Sequence, residues 1–197
     1  KISCWGDNDY GQSAPPDIQY TQIDAGWYHV CALDINGNIE CWGHSNWGQA
    51  VSKKTGNYIA VSSGYQHTCA IKTDNTVACW GRTNNYGQAT PPVATTFQSI
   101  SSGYTNTCGV TILGTIECWG DNNDGQSNAP SGNSWESVSA GTGFWIDILI
   151  GNNSNSTKCT FTVNVSNLCI SHIKLNMRKA LSSSIYCNFF HYNAILI

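Results

Sequence analysis

The chain has 197 residues, a formal net charge of −3 and only 11% charged side chains, a length that holds one core or one core with an appendage. No run of apolar residues approaches the roughly 18 needed to cross a bilayer, so no membrane span is expected. Residues 1–150 hold five Lys or Arg against twelve Asp or Glu, while residues 151–197 hold four and none; an acidic segment without clustered cations lacks the footprint that phosphate backbones require, which argues against nucleic-acid binding.

Lys1 is not a start methionine and no charged-then-apolar leader follows it, so a processed mature form or a piece of a longer protein is expected. Cys4-Trp5-Gly6 comes next, followed by a polar loop ending in Gly11-Gln12. The same phrase returns at Cys41 with Gln49, at Cys79 with Gln88 and at Cys118 with Gln126. A glycine preceded by a small residue recurs at Gly26, Gly64, Gly103 and Gly141, a period of 38 or 39 residues. A unit of that size cannot bury its apolar face alone, so the period means stacked copies, as in propellers and solenoids.

One copy shows how a unit is built. Tyr58 to Ser63 alternates apolar with small polar residues until Gly64 breaks the pattern, which predicts a short strand with one buried face. His67 to Lys72, a turn at Thr73-Asp74-Asn75, and Thr76 to Gly81 then read as a hairpin. Six cysteines form three pairs each ten residues apart: Cys31 with Cys41, Cys69 with Cys79, and Cys108 with Cys118. Metal sites usually show closer cysteine spacing, so disulfides are the better reading. Directly opposed residues centre the second loop on Asp74 and make it three residues long. Its third position then requires a left-handed backbone, and Gly37, Asn75 and Gly114 meet that need. Cross-strand neighbours lie close enough for a disulfide within each hairpin. The tryptophans Trp5, Trp42, Trp80 and Trp119 point away from the adjacent cysteine and are expected to pack between units. The glutamine of each Gly-Gln is expected to bond a neighbouring backbone.

The combination of small-Gly, His two before Cys-Ala, Cys-Trp-Gly and Gly-Gln resembles the repeats of the regulator of chromosome condensation family. Ala25-Gly26, His29, Cys31-Ala32-Leu33, Cys41-Trp42-Gly43 and Gly48-Gln49 carry the likeness, as do Ser63-Gly64, His67, Cys69-Ala70-Ile71, Cys79-Trp80-Gly81 and Gly87-Gln88; the third copy has Asn106 in place of the histidine. The resemblance implies an all-β fold, a partial β-propeller of about four blades over residues 1–145, with units near 4–40, 41–78, 79–117 and 118–145. It looks most like a short-repeat, cysteine-paired branch found in secreted proteins and receptor ectodomains, which implies an extracellular location. Family members act as protein-binding platforms, among them an exchange factor for a small GTPase, a secreted β-lactamase inhibitor and parts of ubiquitin ligases. No exchange-factor catalytic motif matches residue by residue, so the likeness carries over a fold and a role but no activity.

Such rings usually have about seven blades. Here Cys4 lacks a partner ten residues upstream, and the position five beyond Gly141 is Ile146, so the ring is not expected to close in the usual way. After Phe144 the pattern gives no hairpin and no further Cys-Trp-Gly. Residues 146–197 are read as a non-repeat tail, foreign to the array through truncation or a shifted reading frame. Its Cys159, Cys169 and Cys187 have no assigned partners, its sequons start at Asn152, Asn155 and Asn164, and Ile185 to Phe190 is an apolar, aggregation-prone run.

His29 and His67 are repeat-equivalent, which favours a structural hydrogen-bonding role over a catalytic or metal one. No nucleophile with a base, phosphate loop or His-x-x-x-His cluster appears, so no enzyme activity, cofactor or metal is expected. The loops offer more. Trp27-Tyr28, Tyr65-Gln66 and Tyr104 follow the repeated glycines, and Tyr10, Trp47 and Tyr86 precede each Gly-Gln. Loops at one end of a propeller lie side by side, so these residues form a candidate binding face; blade-to-blade packing is the competing role for Trp27, Tyr65 and Tyr104. The leading expectation is a non-catalytic protein-binding module, with a glycan-binding lectin or a small-GTPase regulator as alternatives. The last is disfavoured because cysteine-paired hairpins suit an oxidising compartment. Exposed strand edges at the ends of an incomplete array are expected to drive self-association.

Overall fold

The computed structural model describes residues 2–51, 54–82 and 85–141, together with the backbone of two strands at 148–153 and 156–161. It is an all-β partial propeller of four blades, each a three-stranded antiparallel sheet with its strands in chain order. Blade one comprises β1 (Tyr20–Ala25), β2 (His29–Asp34) and β3 (Ile39–Gly43), and blade two β4 (Tyr58–Ser63), β5 (His67–Lys72) and β6 (Val77–Gly81). Blade three comprises β7 (Phe97–Ser102), β8 (Asn106–Thr111) and β9 (Ile116–Gly120), and blade four β10 (Trp135–Ser139), β11 (Ile148–Asn153) and β12 (Ser156–Phe161). The sheets straddle the cysteine-phased units, because the strand bearing Cys-Trp-Gly closes the blade begun in the preceding unit.

Each hairpin follows from its loop chemistry. Gly37, Asn75 and Gly114 adopt φ of 75°, 63° and 77°, the left-handed third position that a three-residue loop needs. Cys31 then faces Cys41, Cys69 faces Cys79, and Cys108 faces Cys118. All three pairs are disulfide-bonded, with Cα atoms 4.1, 4.1 and 4.0 Å apart. Each inner strand is irregular at the same place, between Tyr20 and Gln22, Tyr58 and Ala60, Phe97 and Ser99, and Trp135 and Ser137.

The core lies in the seams between blades. Cys31, Leu33, Ile39 and Cys41 of blade one cluster with Val61 and Ala70 of blade two, and Trp80 packs against them. Cys69 and Ile71 of blade two cluster with Phe97 and Trp119 of blade three, and Cys108, Val110 and Ile116 with Val138 of blade four. Every disulfide is therefore in a seam, and the middle strands, covered on both faces, are almost wholly buried. Along the inner strands the side chain two before each repeated glycine accepts a bond from the next blade. Asp24 Oδ2 takes the Ser63 N–H at 2.6 Å, Ser62 Oγ that of Ser102 at 2.9 Å, and Ser101 Oγ that of Ala140 at 2.9 Å.

Blade four takes its second and third strands from beyond Phe144. Ile148 pairs with Ser139 as Cys31 pairs with Asp24, so it holds the first-cysteine position, and Phe161 opposite it holds the second. A fixed offset of five from the glycine lands on Ile146, whereas this strand reaches the equivalent position seven beyond Gly141. Cys159 lies opposite Ile150. Readings that fall on residues 162–197, including Cys169 and Cys187, lie outside the described residues.

The opposite flank is open. Ile23 of blade one is 42% exposed, whereas Val61 and Val138 at the equivalent place are 2% and 9% exposed. Cys4 is free and Trp5 is exposed. Among the described residues no helix is long and apolar enough to cross a membrane.

Candidate functional site

The loops between first and second strands emerge at the same end as those leaving the third strands, because His29 pairs with Gly43, His67 with Gly81 and Asn106 with Gly120. The residue after each of the last three Cys-Trp-Gly phrases is tied to the neighbouring loop: His44, Arg82 and Asp121 donate backbone N–H bonds to the carbonyls of Tyr28, Gln66 and Thr105 at 2.7, 2.8 and 2.9 Å. A Cβ on Gly81 would run into the Gln66 carbonyl, and Gly81 has φ +124°; only glycine lets the two loops meet there.

Beneath this end lies a buried relay. His29 Nε2 is 2.8 Å from Thr68 Oγ1 of the next blade, and Thr68 donates its hydroxyl to the Gln49 carbonyl at 3.0 Å. The hydroxyl proton is thereby committed, so His29 is the donor and carries its proton on Nε2. Trp80 Nε1 donates to the same carbonyl at 3.1 Å. His67, Thr107, Gln88 and Trp119 repeat the arrangement one blade on. In blade three Asn106 reaches the Gln126 carbonyl directly at 3.3 Å. Trp42 likewise donates to Gln12 at 2.9 Å, so the tryptophan of one blade latches onto the Gly-Gln loop of the blade before. The glutamine side chains close their own loops: Gln12, Gln49, Gln88 and Gln126 accept from the backbone N–H of Tyr10, Trp47, Tyr86 and Asp124.

Burial pushes His29 and His67 down to about 4, with nearby His67 and His44 adding to the effect on His29. The Nδ1 atoms of both rings are buried without a partner, so a second proton would have no acceptor. Burial also raises the Asp24 carboxyl above the usual range, against hydrogen bonds from Ser63, Ser62 and Ala25.

Above the relay the candidate face takes shape. Trp27, Tyr65 and Tyr104 donate their backbone N–H groups to the carbonyls of Gly64, Gly103 and Gly141 at 3.4, 3.2 and 3.1 Å, setting successive loops side by side. A Cβ on Gly64 would come within 2.6 Å of the Gly103 carbonyl, so the blades approach this closely only with glycine there. The Tyr65 and Tyr104 rings stack at 4.2 Å between centroids, and Trp27 meets them at 5.0 and 5.4 Å. Tyr28 lies 5.9 Å from Tyr65 and 5.7 Å from Tyr10. Burial and then a hydrogen bond with Tyr65 raise the Tyr104 hydroxyl above its usual range.

Five of the eight face residues predicted from sequence, Tyr10, Trp27, Tyr28, Tyr65 and Tyr104, thus form one run of rings. Trp47 lies under the Arg82 guanidinium, 4.7 Å from its centroid. Gln66 is buried, its Oε1 accepting from Arg82 at 2.6 Å. Tyr86 is exposed. His44, 4.6 Å from the Tyr10 ring and 6.1 Å from that of Tyr28, and Arg82 are missed by the sequence reading. Their position directly after Cys-Trp-Gly is the signal that would have found them. Among the described residues no group of three His, Cys, Asp or Glu is arranged to hold a metal ion.

Fold and face together define a β-propeller of short, disulfide-stapled repeats with its aromatic loops gathered at one end. Residues 20–49, 58–88 and 97–126 match the regulator of chromosome condensation (RCC1) repeat, so the chain carries three repeats of that family. It is similar to the ectodomain of receptor kinase CR4 from Physcomitrella patens, with 26% identity and a TM-score of 0.65, over 80% of this chain and 45% of that one. The CRINKLY WD40 ectodomain of receptor kinase ACR4 from Arabidopsis thaliana matches at 24% identity and TM-score 0.60, over 81% of this chain and 60% of that one. Prp20p of Saccharomyces cerevisiae, described with its binding to Gsp1p and histones, matches at 18% identity and TM-score 0.58, over 71% and 45%. The chain spans less than two thirds of each of these structures.

Proposed function

We propose that this chain is a non-catalytic protein-binding module of an extracellular or ectodomain setting that engages its partner through the loop face. The observation that carries the reading is the unbroken run of rings from Tyr10 through Tyr28, Trp27 and Tyr65 to Tyr104. Aromatic side chains are the commonest anchors of protein interfaces, and here they sit on a scaffold made rigid by latched seams. Three disulfides and the likeness to two receptor-kinase ectodomains support the compartment. The reported binding of Prp20p to Gsp1p and histones is a protein-binding use of a similar fold.

Proximity labelling at the cell surface with the full chain, against a Trp27→Ala/Tyr65→Ala variant, tests this reading. Surface proteins labelled by the wild type and lost in the variant are the expected result; identical labelling by both refutes it. A glycan array on the same two proteins distinguishes a sugar ligand, which would show as binding by the wild type alone. A second reading, self-association, is favoured by the exposed Ile23, whose equivalents Val61 and Val138 are buried. Light scattering of the full chain is expected to show concentration-dependent dimers, and a monomer throughout removes it.

A further inference from the structure

We propose that the loop face takes a basic segment of its partner protein, one bearing exposed Arg or Lys side chains. The inference rests on the protein-binding reading and adds the chemistry of what is bound. Two features of the face carry it.

The first is charge. The Gly-Gln loops at the two ends of the arc bear Asp7 and Asp9 on one side and Asp121 and Asp124 on the other. The described cation on these loops is Arg82. Its guanidinium is held over Trp47 and donates to Gln66, so it is committed within the protein and offers little repulsion to an incoming cation. Lys54 is placed elsewhere, bonded through its backbone to Ile39 at the start of β3, and Lys72 is at the hairpin turn, bonded to Thr76.

The second is the chemistry of the rings. Between the acidic loops lie Tyr10, Tyr28, Trp27, Tyr65 and Tyr104, and rings of this kind attract a cation over their faces. Contacts of this kind already exist within the molecule, with Arg82 4.7 Å from the Trp47 centroid and Lys54 Nζ 4.4 Å from that of Trp80. Trp27 is exposed and Tyr28, Tyr65 and Tyr104 are part-exposed, which leaves ring surface open to the same kind of contact from another chain. Carboxylates at both ends and rings between them suit an extended, cationic segment, whereas an acidic segment would meet like charge at either end.

Fluorescein-labelled peptides alternating Arg with Gly, Glu with Gly and Gln with Gly, titrated into the full oxidised chain, test the proposal by polarisation and by indole fluorescence. The Arg peptide is expected to bind, the Glu peptide not, and the affinity to drop as salt is raised. Trp27→Ala/Tyr65→Ala should weaken the Arg peptide roughly tenfold, and Asp121→Asn/Asp124→Asn by about two- to fivefold. Ile35→Ser, at a hairpin tip, should leave it unchanged. Equal binding of the Arg and Glu peptides, or an Arg affinity indifferent to both face variants, overturns the proposal. If no peptide binds while surface labelling still depends on Trp27 and Tyr65, the basic-segment inference fails and the protein-binding reading stands. Loss of that dependence would sink the reading itself.

Discussion

The seam between blades one and two and the loop face above it use neighbouring residues of the same repeat, yet they are built differently. In the seam His29, Thr68 and Gln49 are fully buried and joined in one donor chain with Trp80. On the face, Trp27, Tyr65 and Tyr104 are fixed by backbone bonds to the next blade while their rings remain partly in solvent. A seam residue must fit a fixed partner one blade away, so its identity largely repeats, as with His29 and His67 or Thr68 and Thr107. A face residue has water on one side and no such constraint, so at most its general character repeats, as in Trp27, Tyr65 and Tyr104, and even that varies in His44, Arg82 and Asp121.

Acid should produce the largest effect, chiefly through the seam. An unfolded histidine takes its proton near pH 6.5, whereas His29 and His67 in the fold take theirs near 4. Between those values the unfolded state binds more protons. Stability is therefore complete above about pH 6.5 and falls as pH is lowered toward about 4, by roughly 3 kcal/mol per histidine. Asp24, whose carboxyl is raised, acts in the opposite sense and softens the fall at its lower end. Urea midpoints at about pH 7.5 and 4.5 measure this, and equal midpoints would remove the buried neutral relay.

Next in size is the relay itself. His67→Ala leaves a cavity and strips the Thr107 hydroxyl of its donor, a loss of about 3 kcal/mol in urea unfolding. Blade three suggests a repair, since Asn106 reaches the glutamine carbonyl with no intervening hydroxyl. His67→Asn combined with Thr107→Ala should accordingly be less destabilised than the sum of the two single changes, with a coupling of about 1 kcal/mol. Strict additivity would show that the two latch types do not interchange.

Removing one staple, Cys69→Ala/Cys79→Ala, should cost about 2–3 kcal/mol, because the closed loop is short and the chain-entropy gain correspondingly small. The same denaturation experiment reads it, and an unchanged midpoint would make the disulfide incidental. The smallest change is expected on the face. Trp27→Ala should lower stability by about 1 kcal/mol or less, from lost ring contacts with Tyr65 and Tyr104, and a drop as large as that of His67→Ala would class Trp27 with the seam.

Much of this was legible in the residues. The three disulfides, the left-handed loop positions and the aromatic loops follow from local spacing, because a three-residue hairpin loop leaves only one partner for each cysteine. The role of Thr68 and Thr107 was not legible, since a threonine in a strand of alternating pattern gives no sign that it relays a bond across blades. Arg82 and His44 escaped for a similar reason: their relevance depends on which loop of another strand lies beside them. The second and third strands of blade four were not read, because the position equivalent to the first cysteine lies seven residues beyond Gly141 rather than five.

The amino-acid sequence by itself determined the repeat, its period, the stapled hairpins and the likeness to a propeller family, all of which depend on contacts between residues within one unit. Tertiary structure alone decided what passes between units: the histidine-to-glutamine relay, the seams in which the sulfurs lie, the exposed first flank and the ring-to-ring order of the face. The physical reason is that a blade's neighbour is about 38 residues away in the chain but within hydrogen-bond reach in space, and periodicity reports the distance along the chain while saying nothing of which side chains the stacking brings together.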